Sequence, residues 1–160
     1  MKNEKEEKKN TLMKVINLDE PLARHFSLGE MLRSCTADYF GIDNVPTYEQ
    51  VDNMRALCQE VLEPLRKKFG VIIISSGFRN ERLNQAVGGR PQSQHIRGEA
   101  ADIHVPSPEQ GDKMFRYIRD NLPYDQLLYE HRRRNGCSWI HVSYVRRRRP
   151  NRHKAASYWV

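Results

Sequence analysis

Apolar side chains recur at helical spacing in the segment that follows Pro46. The recurring positions are Val51, Met54, Leu57, Cys58, Val61, Leu62, Leu65 and Phe69. This period predicts a long amphipathic helix whose apolar face lies on the core. A capping box at residues 47–50 marks its start, Gly70 is a good stop, and Pro64 should kink or divide the helix.

Shorter helices are predicted from their N-terminal capping signals. Residues 27–30 read Ser-Leu-Gly-Glu, a capping-box pattern that begins a short helix ending near Leu32. Ser107 followed by Pro108 begins another helix, with serine as N-cap and proline in the first turn. The buried face of that helix is formed by Met114, Phe115, Ile118 and Leu122. A further short helix is predicted at 81–87.

Strand patterns occupy the remaining apolar segments. Residues 71–75 are β-branched and continuously apolar before the final serine, which predicts a buried strand. Further strands are predicted at 102–105, 126–130 and 139–145, and regular structure is expected to end at the run 146–150. Because helices precede and follow a mainly antiparallel sheet, the fold class is α+β.

The length of 160 residues is sufficient for one domain with a core of its own. Residues 1–17 are rich in charge and poor in large apolar groups, so we expect a disordered tail before a domain at 18–145. Residues 146–160 are expected to form a basic C-terminal tail. The N-terminus has no apolar run typical of a signal peptide, which predicts a cytoplasmic location unless the protein is released.

The chain is basic, with 27 Lys and Arg, 20 Asp and Glu, and a net charge of +7. This balance favours anionic partners such as nucleic acid, anionic lipid surfaces or an acidic cell-wall polymer. Specific nucleic-acid binding is not expected, because no helix-turn-helix, RNA-recognition motif or aromatic stacking platform accompanies the arginine runs 132–134 and 146–149. The three scattered cysteines include no Cys-x-x-Cys pair and indicate neither a disulfide framework nor a cysteine zinc site.

Two histidines and an aspartate suggest a metal site. His95 and Asp102 lie seven residues apart with Gly98 between them, which places His95 on a loop and Asp102 on the following strand. An imidazole and a carboxylate are good ligands for zinc, and a catalytic zinc takes three protein ligands with one open position. His141, on a later strand, offers the third ligand. The alternative is that both histidines are ordinary polar residues on a basic surface.

Several ordered motifs accompany these three residues. They are Ser75-Ser76-Gly77-Phe78-Arg79, Leu83-Asn84, Val87-Gly88-Gly89, Ser93-x-His95-x-x-Gly98-x-Ala100-x-Asp102 and Trp139-x-His141-Val142-Ser143. With these motifs, residues 20 to 145 resemble the zinc D-alanyl-D-alanine carboxypeptidases and L-alanyl-D-glutamate endopeptidases of peptidoglycan. These enzymes share a fold with the hedgehog signalling domain. The segments around Phe26 and Pro46 also resemble the small phage and bacterial members, which makes the chain endolysin-like.

The resemblance implies a zinc cofactor, peptidoglycan stem peptides as substrate, and His95, Asp102 and His141 as the zinc ligands. It also implies that Arg79 and Ser93 hold the substrate. A guanidinium is a planar fork that suits a terminal carboxylate or a developing oxyanion.

Both substrate-holding residues have a structural alternative. Arg79 can instead form a surface ion pair with Glu81 or Glu99. Ser93 can instead cap the loop that presents His95, and the sequence does not favour one of these two roles over the other.

The general base is the one departure from the pattern of the family. Many relatives carry an acid three residues before the last zinc histidine, and here that position is Ser138. Glu130 is the preferred substitute, because a hairpin would bring the end of its strand near His141. Glu99 is the rival, but alternation along a strand should turn it away from Asp102. Glu130 can alternatively form a salt bridge with the arginines at 132–134.

Two functions follow from these observations. The first is a zinc metallopeptidase, either a D-Ala-D-Ala carboxypeptidase or an L-Ala-D-Glu endopeptidase, that cleaves the peptide stem of peptidoglycan. The alternative is a non-catalytic module of the same fold that retains its metal and binds the cell wall. In both cases the basic tail either attracts the protein to anionic wall polymers or is merely solvated.

Overall fold

A five-stranded sheet forms the centre of the molecule in the computed structural model, which describes residues 4–160. Its strands are β3 (Ile74–Ser76), β4 (Ala100–His104), β5 (Gln126–His131), β6 (Ser138–Ser143) and β7 (Lys154–Trp159). Their order across the sheet is β3-β4-β6-β5-β7, with antiparallel neighbours except for the parallel pair β5 and β7. The predicted α+β class, a single domain with a mainly antiparallel sheet packed with helices, is confirmed.

Helices pack on this sheet, and a two-stranded ribbon of β1 (Pro21–Ala23) and β2 (Phe26–Ser27) follows the first helix along the chain. The helices are α1 (Glu4–Lys9), α2 (Leu28–Leu32), α3 (Cys35–Phe40), α4 (Tyr48–Leu57), α5 (Glu63–Phe69), α6 (Glu81–Ala86) and α7 (Pro108–Asn121). The predicted caps Ser27, Thr47 and Ser107 each accept a hydrogen bond from a backbone N–H in the first helical turn. None of the helices in residues 4–160 has the length and apolar character needed to cross a bilayer.

The predicted long helix is divided, as Pro64 suggested. A π-helical segment (Cys58–Leu62) separates α4 from α5, and Gly70 ends α5 in a conformation with φ of 84°. Proline has no N–H to donate to the preceding turn, so the regular α-helical ladder cannot run through this point. The apolar stripe is nevertheless continuous, and its residues from Met54 to Leu65 form the centre of the core.

The prediction of a buried strand at 71–75 was partly wrong. Strand β3 begins only at Ile74, and Val71 and Ile73 are 76% and 54% exposed. Ile72 and Ile74 are buried, so side chains alternate between core and solvent along this segment. The reason is that β3 is an edge strand with one covered face, whereas a continuously apolar run suggested burial on both faces.

The N-terminal segment expected to be a tail contacts the domain in its described part. Leu12 forms a bridge with Thr47, the N–H of Met13 donates to the carbonyl of Pro46, and Ile16 packs against the core. Residues 1–3 of the predicted tail lie outside the described residues.

The C-terminal segment continues the sheet, so the prediction that regular structure ends at 146–150 was wrong. Strand β7 pairs with β5 in parallel, and two arginines anchor it. Arg149 and Arg152 both donate to the carboxylate of Asp125, which is fully buried, at distances of 2.5 to 3.2 Å. The backbone N–H of Arg152 donates to it as well.

The arginine run 146–149 was expected to be a solvated or wall-attracting tail, but three of its four side chains have partners inside the domain. Arg148 donates twice to the buried Glu99, Arg149 donates to Asp125, and Arg146 donates to Asn53. A sequence pattern shows the positive charges but cannot show which distant carboxylates neutralise them.

Replacing both Arg149 and Arg152 with glutamine should lower the free energy of unfolding by about 3–5 kcal/mol at neutral pH, because a buried carboxylate would lose its charged partners. Burial alone would raise the pKa of Asp125, but the arginine hydrogen bonds outweigh it and hold that pKa below its usual range. This stabilisation is present above the unfolded-state pKa of about 4 and is lost as the pH falls towards the folded-state value.

Urea unfolding at pH 7 and pH 3 measures this difference. A matched loss of two exposed charges, Arg134→Gln with Arg147→Gln, should cost far less stability at pH 7. Equal stability losses in the two double variants would show that the contacts with Asp125 contribute little.

Candidate metal centre

A 3₁₀ turn (Gln94–Arg97) presents His95, and its two ends are fixed by local sequence. The hydroxyl of Ser93 accepts a hydrogen bond from the His95 N–H at 3.3 Å, and Gly98 ends the turn with φ of 72°. A side chain at position 98 would be strained by this backbone, and its Cβ would lie 2.5 Å from the carbonyl oxygen of Gln50. The sequence therefore holds His95 in one place through its caps.

The His95 ring is buried and oriented by the backbone. Its Nδ1 lies 2.7 Å from the carbonyl oxygen of Gly77, and its Nε2 lies 3.3 Å from Oδ1 of Asp102. Only a protonated Nδ1 can donate to a carbonyl, so a neutral ring directs the lone pair of Nε2 towards Asp102. Gly77 is needed here because a Cβ would lie 2.4 Å from the carbonyl oxygen of Met31.

Asp102 and His141 are direct neighbours across strands β4 and β6, so their side chains leave the same face of the sheet. Nδ1 of His141 lies 3.0 Å from Oδ1 of Asp102. Burial would raise the pKa of Asp102, but the charge and hydrogen bonds of the two imidazoles outweigh it and hold the pKa well below its usual range. The pKa of His95 is lowered by burial, although Asp102 opposes this shift.

These three side chains form a set that can hold a metal ion. Each offers one ligand atom, and the three atoms lie within 4.8 Å of one another. Metal ligands must be a neutral imidazole and an ionised carboxylate, and the pKa directions of His95 and Asp102 match that need. A ligating histidine typically donates its other ring N–H to a carbonyl, as His95 does to Gly77. Two nitrogens and one oxygen fit zinc with an open position.

A cleft of about 960 Å³ opens over this face of the sheet, and Arg79 lies in its wall. Its Nη1 donates to Oγ of Ser76 at 3.2 Å, while its buried Nε has no hydrogen-bond partner within residues 4–160. Burial lowers the pKa of Arg79, and the charge of Asp102 opposes this shift. In the described part of the chain, Arg79 pairs with neither Glu81 nor Glu99, the alternatives open from the sequence.

Ser93 has a position that suits both roles weighed from the sequence, capping the turn of His95 and holding substrate. Its hydroxyl caps the turn of His95, and the residue also lines the cleft. The capping contact is present in the structure, whereas the substrate-holding role stays a prediction.

Glu130 lies on the same face of the sheet as His141. Leu128 is directly opposite His141, and Glu130 is opposite Trp139, which places Glu130 one diagonal step from the histidine. Its carboxylate accepts a hydrogen bond from the hydroxyl of Tyr158. The alternative salt bridge with the arginines at 132–134 is not formed among residues 4–160.

Glu99 and Ser138 have other partners. Glu99 is buried, accepts two hydrogen bonds from Arg148 and one from Gln94, and lines a separate cavity of about 280 Å³. The hydroxyl of Ser138 lies 2.8 Å from Nδ1 of His131. Of the two acids weighed from the sequence, only Glu130 lines the cleft that holds the histidines.

Sequence reasoning missed the contribution of the last strand to this cleft. Tyr158 and Val160 line it, although the sequence pattern assigned them to a basic tail. The signal available was the β-favouring Tyr-Trp-Val ending of the chain, which the preceding arginine run obscured.

A comparison with known protein families matches the segment that contains the candidate metal ligands. A family profile described as Peptidase M15 matches residues 24–143, which contain Arg79, His95, Asp102, Glu130 and His141. A comparison with curated protein sequences finds no match. The profile covers most of the chain and agrees with the family suspected from the sequence motifs. The protein therefore belongs to the peptidase M15 family.

Proposed function

We propose that this protein is a zinc-dependent peptidase that cleaves the peptide stem of peptidoglycan. The observation that carries the proposal is the convergence of His95, Asp102 and His141 at the floor of an open cleft. All three lie in the segment matched by the peptidase family. The proposed site residues are these three as zinc ligands, Glu130 and Arg79 as catalytic groups, and Ser93 and Arg79 as substrate-binding groups.

Zinc held by these residues would supply a Lewis acid that polarises the scissile carbonyl and acidifies water. In the hydrolysis, water adds to the carbonyl carbon and the bond from carbon to nitrogen breaks. Glu130 takes a proton from the water and returns it to the leaving amine, which yields a free carboxyl group and a free amine. The guanidinium of Arg79 faces the cleft near Asp102 and would bind a developing oxyanion or a terminal carboxylate.

The charge of the cleft supports an acidic peptide as substrate. Arg79, Arg90 and Arg132 line its walls, so a peptide rich in carboxylates would be attracted and held there. Stem peptides offer such carboxylates in both the D-Ala-D-Ala carboxypeptidase and the L-Ala-D-Glu endopeptidase reactions. Exposed arginines, including those at 132–134, would add attraction to anionic wall polymers once the protein is released to the wall.

A wall-binding module without catalysis is the second candidate. It is favoured by Ser138, which stands where many relatives carry the acid and which cannot accept a proton near neutral pH. In this role the metal and the cleft would bind the stem peptide, and no bond would be cut.

Digestion of purified peptidoglycan should release stem-peptide fragments, and a chelator should stop that release. The products, separated and identified by mass, report which bond is cut. Restoring activity to the chelated protein with zinc would tie the reaction to the metal. Binding to the wall without any product in the presence of zinc would instead support the non-catalytic module.

A further inference from the structure

Tyr158 reaches the candidate site from a strand that lies beyond the family-matched segment. The match ends at residue 143, whereas β7 runs from Lys154 to Trp159. Strand β7 pairs with β5 in a register that sets Tyr158 directly beside Glu130. The last strand therefore adds a polar side chain to a cleft whose proposed metal ligands and catalytic groups come from the matched segment.

The hydroxyl of Tyr158 donates a hydrogen bond to Oε1 of Glu130. Among residues 4–160 this is the only hydrogen bond to the Glu130 carboxylate, so Oε2 keeps its full capacity to accept a proton. Burial and the contact with Glu130 raise the pKa of Tyr158 to about 12. The phenol is therefore protonated at neutral pH and acts as a donor.

The position of β7 is fixed at its other end. Arg149 and Arg152 hold the chain before the strand on the buried Asp125, and the N–H of Lys154 donates to the carbonyl of Asp125 at 3.1 Å. Asp125 immediately precedes β5, the strand that carries Glu130. Asp125 and Glu130 thus lie on one continuous segment. Strand β7 pairs with this segment in a register that places Tyr158 beside Glu130.

We propose that Tyr158 is a positioning residue that holds the Glu130 carboxylate for proton transfer, so that the C-terminal strand completes the active site. This inference rests on the proposed function, because it assigns Tyr158 to the reaction in which Glu130 serves as base. A glutamate side chain is flexible, and one fixed donor on one oxygen restricts it while the other oxygen stays available.

Tyr158→Phe removes only the hydroxyl and tests this role. We expect a kcat that is about ten- to a hundredfold lower on a soluble stem peptide, with KM nearly unchanged, because a misplaced catalytic group slows chemistry without weakening binding. Zinc content and the midpoint of thermal unfolding should equal those of the wild type. The double variant Tyr158→Phe with Glu130→Gln should be no slower than Glu130→Gln alone.

Trp159→Phe is the matched control in the same strand, since Trp159 packs beside His131 and does not line the cleft. A loss in Trp159→Phe as large as that in Tyr158→Phe would overturn the proposal, because it would show a general role of the strand. A further loss in the double variant would also overturn it, because Tyr158 would then act independently of Glu130.

Two remaining outcomes separate this inference from the proposed function. Normal kcat in Tyr158→Phe, together with a slow Glu130→Gln variant, would overturn the positioning role and leave the zinc peptidase intact. A wild-type protein that binds stem peptides with zinc present and cleaves none would overturn both.

Discussion

A His141→Ala variant should lose tight zinc binding and, with it, cleavage of stem peptides. His141 supplies one of only three ligand atoms in the set, and its partners Asp102 and His95 cannot replace a nitrogen donor from β6. Loss of residues that merely support a ligand costs about ten- to a hundredfold in metal affinity, so loss of a ligand should cost more than about a hundredfold. Elemental analysis after gentle purification and zinc addition measures the effect.

The fold should survive this substitution. The neighbours of His141 in β6, Ile140 and Val142, are fully buried and supply the core contacts of the strand, whereas His141 lies on the cleft side. His104→Ala is the matched control for zinc content, because His104 lines the same cleft but lies outside the ligand set. Unchanged zinc content in His141→Ala would show that the third ligand is elsewhere, and a wild type without zinc would count against the centre itself.

The main features of the fold could be predicted because they depend on local patterns. The apolar stripe before Gly70, the caps at Ser27 and Thr47 and the break at Pro64 all act through contacts within a few residues. Each appears in the structure where the sequence places it. The exposed face of β3 could not be read in this way, because it depends on which strand happens to lie at the edge of the sheet.

The candidate site also has one part that could be predicted from the sequence and one part that could not. His95 lies near Asp102 because the turn that carries His95 leads directly into the strand that carries Asp102. Asp102 lies beside His141 because their strands, β4 and β6, are adjacent in the sheet. The β-favouring end of the chain indicates a strand, but the contact of Tyr158 with Glu130 could not be predicted, because it depends on parallel pairing held by ion pairs with Asp125. Those partners are separated by 24 and 27 residues, and charge alone does not identify them.

The alternation of side chains along a strand helped to choose between the two candidate general bases, Glu99 and Glu130. It turned Glu99 away from the face of Asp102, and in the structure Glu99 lies in another cavity with Arg148. The predicted hairpin brings Glu130 near His141, and the register of β5 and β6 places the two residues on one face of the sheet. The role of Glu130 as general base remains a prediction and calls for a direct test.

Glu130→Gln should lower turnover of stem peptides by at least about a hundredfold while zinc content stays unchanged, because general acid–base groups contribute about 10²–10⁴-fold in rate. Glutamine keeps the shape of the side chain and can still accept a hydrogen bond from Tyr158, but it cannot take a proton from water. Steady-state kinetics on a soluble stem peptide, with elemental analysis of each preparation, measures both quantities.

Glu109→Gln is the matched control, since Glu109 is an exposed residue of α7 that pairs with Lys113 and does not line the cleft. It should cleave at the wild-type rate.

Near-normal activity in Glu130→Gln would remove Glu130 from the mechanism and make Glu99→Gln the next variant to test. Because Glu99 is buried against Arg148, a loss there would have to be separated from misfolding by thermal unfolding. If the wild type is also inactive with zinc bound, no residue serves as general base. The non-catalytic wall-binding module then explains the function better than the peptidase does.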